Sequence, residues 1–477
     1  MTLHPAKLRA QMTHQAPSVS TLPFSSLPLS AAMQANLEAL GYRETTPIQA
    51  LGLPVILQGR DLIAQAKTGS GKTAAFGIGL LEGLNPRFFG CQALVLCPTR
   101  ELADQVAKEL RRLARAADNI KILTLCGGMP LGPQIGSLEH GAHIVVGTPG
   151  RVLEHLRRGS LVLDGLRTLV LDEADRMLDM GFIEAIEEVV SMTPAKRQTL
   201  LFSATYPDGI GRLASRFLRD PQRVEVESRH DDQQIEQRFF EIDPRQRFEA
   251  VAHLLMHVRP QSCIAFCQTR QQCQELVEHL QSLRISAQSL HGEMEQRDRD
   301  QVLTLFANRS LCVLVATDVA ARGLDIAGLE AVINVELSRD AEVHIHRVGR
   351  SGRAGEKGLA LSLVAPAEAS RASAIEALQQ APLNWQRLDE RVVKNREPLL
   401  PPMATLCISG GRKDKVRPGD ILGALTGEAG IPGTQVGKIA IFDFQAFVAV
   451  DRSIARQALQ RLAEGRIKGR AFKVRLL

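Results

Sequence analysis

The sequence has no long apolar run. Its hydrophobic stretches are broken by charge well before the roughly 18 residues that a membrane-crossing helix needs, so no membrane span or membrane partner is expected. A basic-then-apolar leader is also missing, and residues 1–23 read as a polar, flexible lead-in. The eight cysteines, at positions 91, 97, 126, 263, 267, 273, 312 and 407, include no C-x-x-C pair. Several sit inside apolar strand-like runs, which predicts buried, reduced thiols in a cytoplasmic protein and argues against zinc or disulfides. Most of the chain also lacks excess charge. Residues 401–477 hold 13 Lys+Arg against 6 Asp+Glu, while the whole chain is only +6. The first four hundred residues therefore sum to −1, and the surplus positive charge belongs to the tail.

What is present is an ordinary globular composition, 44% hydrophobic and 23% charged, long enough at 477 residues for about three domains. Short runs rich in Val, Ile and Leu recur, each followed by a helix-like pattern. "DLIAQA", "ALVLCPT", "KILTLCGG", "HIVVGTP", "TLVLDEA" and "QTLLFSA" form one series. After a polar stretch, residues 227–234, the rhythm restarts with "QRFFEI", "SCIAFCQT", "ISAQSLHG", "CVLVATD", "AVINVEL" and "GLALSLVA". Continuous apolar strands between helices imply parallel sheets covered on both faces. The fold class expected is α/β, with two tandem parallel-sheet domains over residues 24–226 and 235–382. A second linker spans residues 383–402. Residues 403–477 then read strand, helix, strand, strand, helix, strand, the βαββαβ order of many RNA-binding modules.

"AKTGSGKT" follows the strand "DLIAQ" and precedes an apolar helix. It fits the triphosphate-loop pattern G-x-x-x-x-G-K-[ST] with Ala66 in place of the first glycine. Glycines let backbone N–H groups curl round phosphate oxygens, and the helix N-terminus adds a favourable dipole. Lys72 is then placed to reach the β- and γ-phosphates of ATP, and Thr73 to ligate Mg²⁺. A hundred residues on, "RTLVLDEADRM" carries Asp172 at a strand end, where a carboxylate can hold Mg²⁺ largely through water. Glu173 beside it can orient and deprotonate an attacking water.

Asp172-Glu173-Ala174-Asp175 resembles the signature of the DEAD-box RNA helicases, and that family's other motifs follow in order over residues 24–355. The resemblance implies two RecA-like domains and an ATP-dependent RNA helicase. "GYRETTPIQ" resembles the adenine-reading segment, with Gln49 facing the base and Tyr42 or Phe24 packing on it; Thr68, Gly69, Ser70 and Gly71 complete the loop. Pro98, Thr99 and Arg100 of "PTREL", Gly127-Gly128, and Thr148 and Arg151 of "TPGR" resemble RNA-backbone contacts. Asp175 with Ser203 and Thr205 of "SAT" resembles the element that couples nucleotide state to RNA. In the second domain Gln296 and Arg299 stand in a Q-x-x-R pattern. "ATDVAARGLD" implies that Thr317 meets RNA and Asp325 the ribose. "HRVGRSGRAG" resembles the arginine-finger motif, with Arg350 and Arg353 directed at the γ-phosphate and His346 and Arg347 in the network between domains. Lys67 stands where the family usually has Gln, Ser351 for Thr and Thr45 for Pro; none removes a catalytic group. A clamp whose ATP cycle controls only RNA residence, and a DNA helicase, remain as other readings.

The tail resembles the RNA-recognition module of DbpA-type DEAD-box proteins. Arg412, Lys413, Lys415 and Arg417 crowd a loop before a helix start, placed to grip RNA phosphates. Arg466, Lys468, Arg470, Lys473 and Arg475 form a second cluster that alternation along a strand would divide between two faces. The domain has no Tyr or Trp. Phe447 is the best match to a stacking position, and Phe442, Phe444 and Phe472 are candidates for the core. The subfamily resemblance further implies a 23S ribosomal RNA hairpin in a pre-50S particle as the target; a monomer is the default expectation.

Overall fold

A computed structural model describes residues 21–66, 69–117, 119–206, 208–226, 235–321, 329–352, 358–388, 397–427 and 430–477. Most of the expected lead-in and the whole 227–234 linker lie outside this range. The chain divides into two compact units, Met1–Arg229 and His230–Leu477.

The first unit contains β1 (Leu62–Gln65), β2 (Ala93–Leu96), β3 (Ile122–Leu125), β4 (Ile144–Gly147), β5 (Thr168–Leu171), β6 (Gln198–Ser203) and β7 (Gln222–Glu225). They stand in the order β3-β4-β2-β5-β6-β1-β7, and every pairing is parallel. Six of these strands are legible as apolar runs. β7 escapes that reading because its sequence QRVE buries only Val224, which suits an edge strand. In β2, Ala93 and Val95 enter a core with Phe76 and Phe202, whereas Leu94 and Leu96 enter another with Met177 and Ile186. Burial on both faces is why such strands read as unbroken hydrophobic segments.

The second unit opens with β8 (Ile235–Glu241), β9 (Cys263–Cys267), β10 (Ala287–Leu290), β11 (Val313–Thr317), β12 (Ala331–Asn334), β13 (Gly358–Val364) and β14 (Trp385–Gln386). Their order is β10-β11-β9-β12-β13-β8-β14, again parallel throughout. β14 falls inside the stretch 383–402 expected to be a linker, and Leu399 at its other end bridges to Ile285 and joins the same core. Trp385–Gln386 and Leu399 thus belong to the sheet domain, while Pro402 O already accepts from Arg452 N of the small domain at 3.0 Å. All eight cysteines are free and buried. No helix among the described residues is long and apolar enough to cross a membrane.

The small domain comprises β15 (Met403–Ile408), a helix Pro418–Thr426, β16 (Val436–Ile441), β17 (Ala446–Asp451), a helix Ala455–Glu464 and β18 (Val474–Leu476). This βαββαβ chain forms an antiparallel sheet in the order β16-β17-β15-β18. Ala404, Leu406 and Ile408 face the domain's own core, so Thr405 and Cys407 lie on the opposite face. That face does not look into solvent at Thr405. Asn308 Nδ2 of the neighbouring sheet domain donates to Thr405 Oγ1 at 3.1 Å, and the Ser310 hydroxyl meets it at 2.7 Å. Leu477 packs against the core that holds Val302 and Leu305.

Candidate functional site

Parallel sheets place the loops that follow their strands along one edge, where ligands collect. In the first unit this edge divides by sheet order. Neighbouring strands β5, β6 and β1 lead into the acidic sequence, "SAT" and the phosphate loop. Neighbouring strands β3, β4 and β2 lead into Gly127-Gly128, "TPGR" and "PTREL". One half of the edge therefore carries the motifs expected to bind ATP and the other half those expected to meet RNA.

The phosphate loop passes through Gly69 and Gly71, at φ 85° and 93°, a backbone region that L side chains avoid. At Gly71 space is also lacking: a Cβ there would lie 2.5 Å from Gln49 Nε2 and 2.9 Å from Thr46 Oγ1. The helix Lys72–Glu82 begins directly afterwards with no acidic residue in its first turn, leaving its positive end open to an anion. Lys72 is buried, and its Nζ donates to Ala66 O at 2.7 Å. Ser70 Oγ is buried without a hydrogen-bond partner. Thr73 follows in the first turn, and Thr68 lies outside the described residues.

Gln49 is joined to this loop. Its Oε1 accepts from Thr46 N at 2.9 Å and its Nε2 donates to Gly71 O at 3.1 Å, while Thr46 Oγ1 donates to Ser70 O at 2.7 Å. An amide has two donors and two acceptor sites, so one of each is left for a base. The reading of Phe24 as a base-packing ring is corrected: it is buried among Leu27, Leu29, Met33 and Leu37. Tyr42 meets Phe24 edge-on at 5.9 Å and donates its hydroxyl to Glu109 at 2.7 Å, with Arg112 over its ring. Burial, with the bond to Glu109, raises the Tyr42 hydroxyl pKa to about 12. Both aromatics thus pack the segment that carries Gln49.

At the end of β5, Asp172 is 2% exposed. Burial raises its pKa to about 7, opposed mainly by the nearby Lys72 ammonium. Its Oδ1 accepts from Glu173 N at 3.0 Å. Glu173 has left-handed backbone, φ 52° and ψ 52°, at the start of the helix Ala174–Asp179. That conformation costs a non-glycine residue about 1–2 kcal/mol and points to a functional constraint. Glu173 and Arg176 form a buried ion pair at 3.1 Å whose geometry is not that of a hydrogen bond, so Glu173 Oε2 retains acceptor capacity. Asp175 is fully engaged. Its Oδ2 accepts from Ala204 N, Thr205 N and Thr205 Oγ1 at 3.1, 2.9 and 3.1 Å. Ser203 Oγ accepts from Asp175 N and donates to Thr205 O. The acidic sequence and "SAT" are thereby locked together.

Among the RNA motifs, Thr99 follows Pro98 and caps the helix Arg100–Leu113 by accepting from Leu102 N at 3.2 Å. The Arg100 guanidinium lies so close over Gly128 that any side chain there would overlap it. Thr148 starts the helix Pro149–Arg157, and Arg151 Nη1 donates to Met129 O at 2.9 Å and Gln134 Oε1 at 3.1 Å. Arg100 and Arg151 therefore both bear on the loop after β3.

In the second unit Gln296 opens the helix Gln296–Ala307, and Arg299 Nη2 donates to Ala320 O at 2.8 Å. Thr317 ends β11. The expectation that Arg347 serves a network between domains is corrected. It is 2% exposed and holds Asp318 through two bonds of 2.7 and 2.8 Å, with further bonds to Asn334 Oδ1 and Glu336 O. Asp318 and Asn334 were not singled out from sequence, although Asp318 directly follows Thr317. His346 is half-buried and Arg350 buried near the end of the same helix, Ala341–Val348. Asp325 and Arg353 lie outside the described residues.

In the small domain the basic loop, the β16–β17 turn and the approach to β18 meet at one end. Lys468 Nζ donates to Lys415 O at 3.1 Å, and Ser409 N donates to Lys473 O at 2.8 Å. Lys413, Lys415, Arg417, Lys468, Arg470 and Lys473 are all exposed. Arg412 is exposed as well and also acts as a brace, donating from Nη2 to Ile441 O at 2.9 Å and pairing with Asp443 at 3.5 Å. Arg475 of the second cluster stands apart from this patch and donates to Gln301 Oε1 at 3.2 Å. Phe447, the expected stacking residue, is 2% exposed, and Phe444, read as a core candidate, is 70% exposed.

Comparison with known proteins agrees with this layout. Residues 46–213 match the DEAD/DEAH box helicase family, residues 246–355 the helicase conserved C-terminal domain, and residues 405–476 the DbpA RNA binding domain. The chain is 54% identical over 449 residues to the ATP-dependent RNA helicase DbpA of Escherichia coli, covering 94% of this chain and 98% of that one. It is 45% identical over 354 residues to the DEAD-box ATP-dependent RNA helicase CshA of Geobacillus kaustophilus, covering 74% and 76%. Among solved structures, S. cerevisiae Dbp5 bound to RNA and ADP BeF3 superposes with a TM-score of 0.71 at 30% identity, covering 77% of this chain and 96% of that one.

Proposed function

The chain belongs to the DEAD-box ATP-dependent RNA helicases, of the DbpA type, and from that membership we propose that it separates short RNA duplexes locally and non-processively, aimed by its C-terminal domain at large-subunit ribosomal RNA. The target is a 23S ribosomal RNA hairpin in a pre-50S particle. The protein acts as a cytoplasmic monomer in large-subunit assembly.

The chemistry is shared between the units. Lys72 exchanges Ala66 O for the β- and γ-phosphates, and the N–H groups from Gly69 to Thr73 cradle the remaining oxygens. Gln49 reads adenine with its spare donor and acceptor, and Asp325 meets the ribose. Glu173, whose buried Oε2 is paired with Arg176 but accepts no hydrogen bond, orients and deprotonates the attacking water. Asp172 and Thr73 suit Mg²⁺: one is a buried carboxylate at a strand end, the other a hydroxyl in the helix's first turn, and Ser70 Oγ in the preceding loop is buried without a partner. When bound there, Mg²⁺ neutralises charge on the β- and γ-phosphate oxygens. Arg350 and Arg353 supply positive charge to the γ-phosphoryl group in the transition state, which is worth about a thousandfold or more in related NTPases. RNA held by residues 98–100, 127–128, 148–151, 296–299 and Thr317 favours the hydrolytic arrangement through the Asp175–Ser203–Thr205 lock.

The observation that carries the targeting is the gathering of exposed Lys413, Lys415, Arg417, Lys468 and Lys473 at one end of the small domain, behind an almost neutral core. Backbone contacts in the core accept nearly any RNA, so selection falls to this end. The test measures ATPase stimulation over a panel of RNA fragments that includes large-subunit ribosomal RNA. The full chain is expected to respond to the hairpin-bearing fragment at the lowest concentration, and a chain lacking residues 403–477 to lose that preference. Unchanged selectivity in the truncated chain overturns the targeting.

A further inference from the structure

Phe444 is the most exposed large apolar side chain among the described residues, at 70%. A single exposed phenylalanine is ordinary on a protein surface. This one differs in standing on a turn whose backbone is fixed to a basic loop. It sits at the tip of the turn closed by Phe442 N donating to Gln445 O at 2.8 Å. The basic loop is tied to that turn by its backbone: Arg412 N donates to Phe442 O at 2.9 Å and Lys413 N to Asp443 O at 3.0 Å. Arg412 adds its side-chain bond to Ile441 O and its ion pair with Asp443. The turn that carries the ring is therefore bound to the Arg412–Lys413 backbone, and Lys468 reaches the same loop through Lys415 O.

The sheet face, where a βαββαβ module commonly stacks bases, offers no substitute. Phe447 is covered, with Phe442 edge-on to it at 5.5 Å. Thr405 and Cys407 are buried too, and Thr405 is bonded to Asn308 and Ser310 of the neighbouring domain. With no Tyr or Trp in the domain, Phe444 is the one described aromatic there whose ring lies open to solvent. A base has a flat apolar face and a charged backbone on either side, which is the complement of an aromatic ring among lysines.

We propose that Phe444 stacks on an unpaired base of the bound RNA, with Lys413, Lys415 and Lys468 holding the adjoining phosphates. The inference rests on the reading of the small domain as the RNA-targeting part. Stacking is sequence-tolerant and insensitive to salt, whereas each phosphate contact adds to the salt dependence.

The test uses the full chain and the ribosomal RNA hairpin fragment that best stimulates its ATPase. Phe444→Ala should weaken binding by roughly 5- to 100-fold without altering the slope of log affinity against log salt. Phe444→Tyr should restore affinity. Lys413→Ala should reduce that slope by about one. A Trp385→Phe, Phe444→Trp chain, whose only tryptophan is then at 444, should lose fluorescence when the hairpin binds. If Phe444→Ala binds like the wild type while Lys413→Ala is weakened, stacking is refuted and RNA targeting stands. If Phe444→Ala and a Lys413→Ala, Lys415→Ala, Lys468→Ala chain all bind like the wild type, the targeting reading fails as well. A Phe444→Ala loss that Tyr does not rescue, or that changes the salt slope, also refutes stacking.

Discussion

Replacing Gly71 by alanine separates two reasons for a glycine in the phosphate loop. The first is backbone: φ 93° costs an L residue about 1–2 kcal/mol. The second is space, because the new Cβ would lie 2.5 Å from Gln49 Nε2 and 2.9 Å from Thr46 Oγ1. Both side chains must withdraw, which breaks Gln49 Nε2 to Gly71 O and Thr46 Oγ1 to Ser70 O. At about 1 kcal/mol for each lost bond, the total is about 3–4 kcal/mol, which ATP binding must offset when it restores the loop. Gly69 is the internal control, since it has φ 85° but nothing within 4 Å of the position a Cβ would take. Titration with a fluorescent ATP analogue should show Gly69→Ala weakened about tenfold and Gly71→Ala several hundredfold. Adding Gln49→Ala to Gly71→Ala should cost less than the two single changes combined, because the collision is already relieved. Equal losses for the two glycines, or strict additivity with Gln49→Ala, would refute the steric argument.

Two further outcomes are expected in the second unit. His344 is buried, with Phe239 at 5.7 Å, and burial, reinforced by Arg347, lowers its pKa from 6.5 to about 4. The unfolded chain therefore binds more protons between these values, and stability is complete above pH 6.5 and lost as pH falls towards 4, by up to about 3 kcal/mol. Urea midpoints followed by the emission of Trp385, 5.9 Å from Phe239, should fall over that window, and His344→Gln should flatten the profile. Arg347→Lys keeps the charge but loses the two-pronged grip on Asp318 and the bonds to Asn334 and Glu336. It should destabilise this unit by about 3 kcal/mol, seen in the same unfolding signal, and an unchanged midpoint would show that Arg347 is not the clamp described.

Much of the fold is legible because periodicity is a local property. Unbroken runs such as "ALVLCPT" identify doubly covered parallel strands, and only the weakly apolar edges, Gln222–Glu225 and Trp385–Gln386, escape that reading. The catalytic motifs are equally legible, because a phosphate cradle or a strand-end carboxylate is built from a few contiguous residues. What contiguous residues do not disclose is a partner from elsewhere in the chain. Arg347 reads as a residue for a domain boundary until Asp318 and Asn334 are seen to enclose it.

Sequence alone determined the parallel-sheet domains with their motifs and the positive charge of the last seventy-seven residues. Tertiary structure decided what that charge surrounds. Antiparallel pairing carries Lys468 and Lys473 to the loop of Lys413 and Lys415. Packing against residues 308–310 and under Phe442 closes the sheet face, which leaves Phe447 covered and Phe444 exposed. Composition states that aromatic and cationic side chains exist. Whether they meet solvent depends on which surfaces cover one another, and that is a property of the assembled elements.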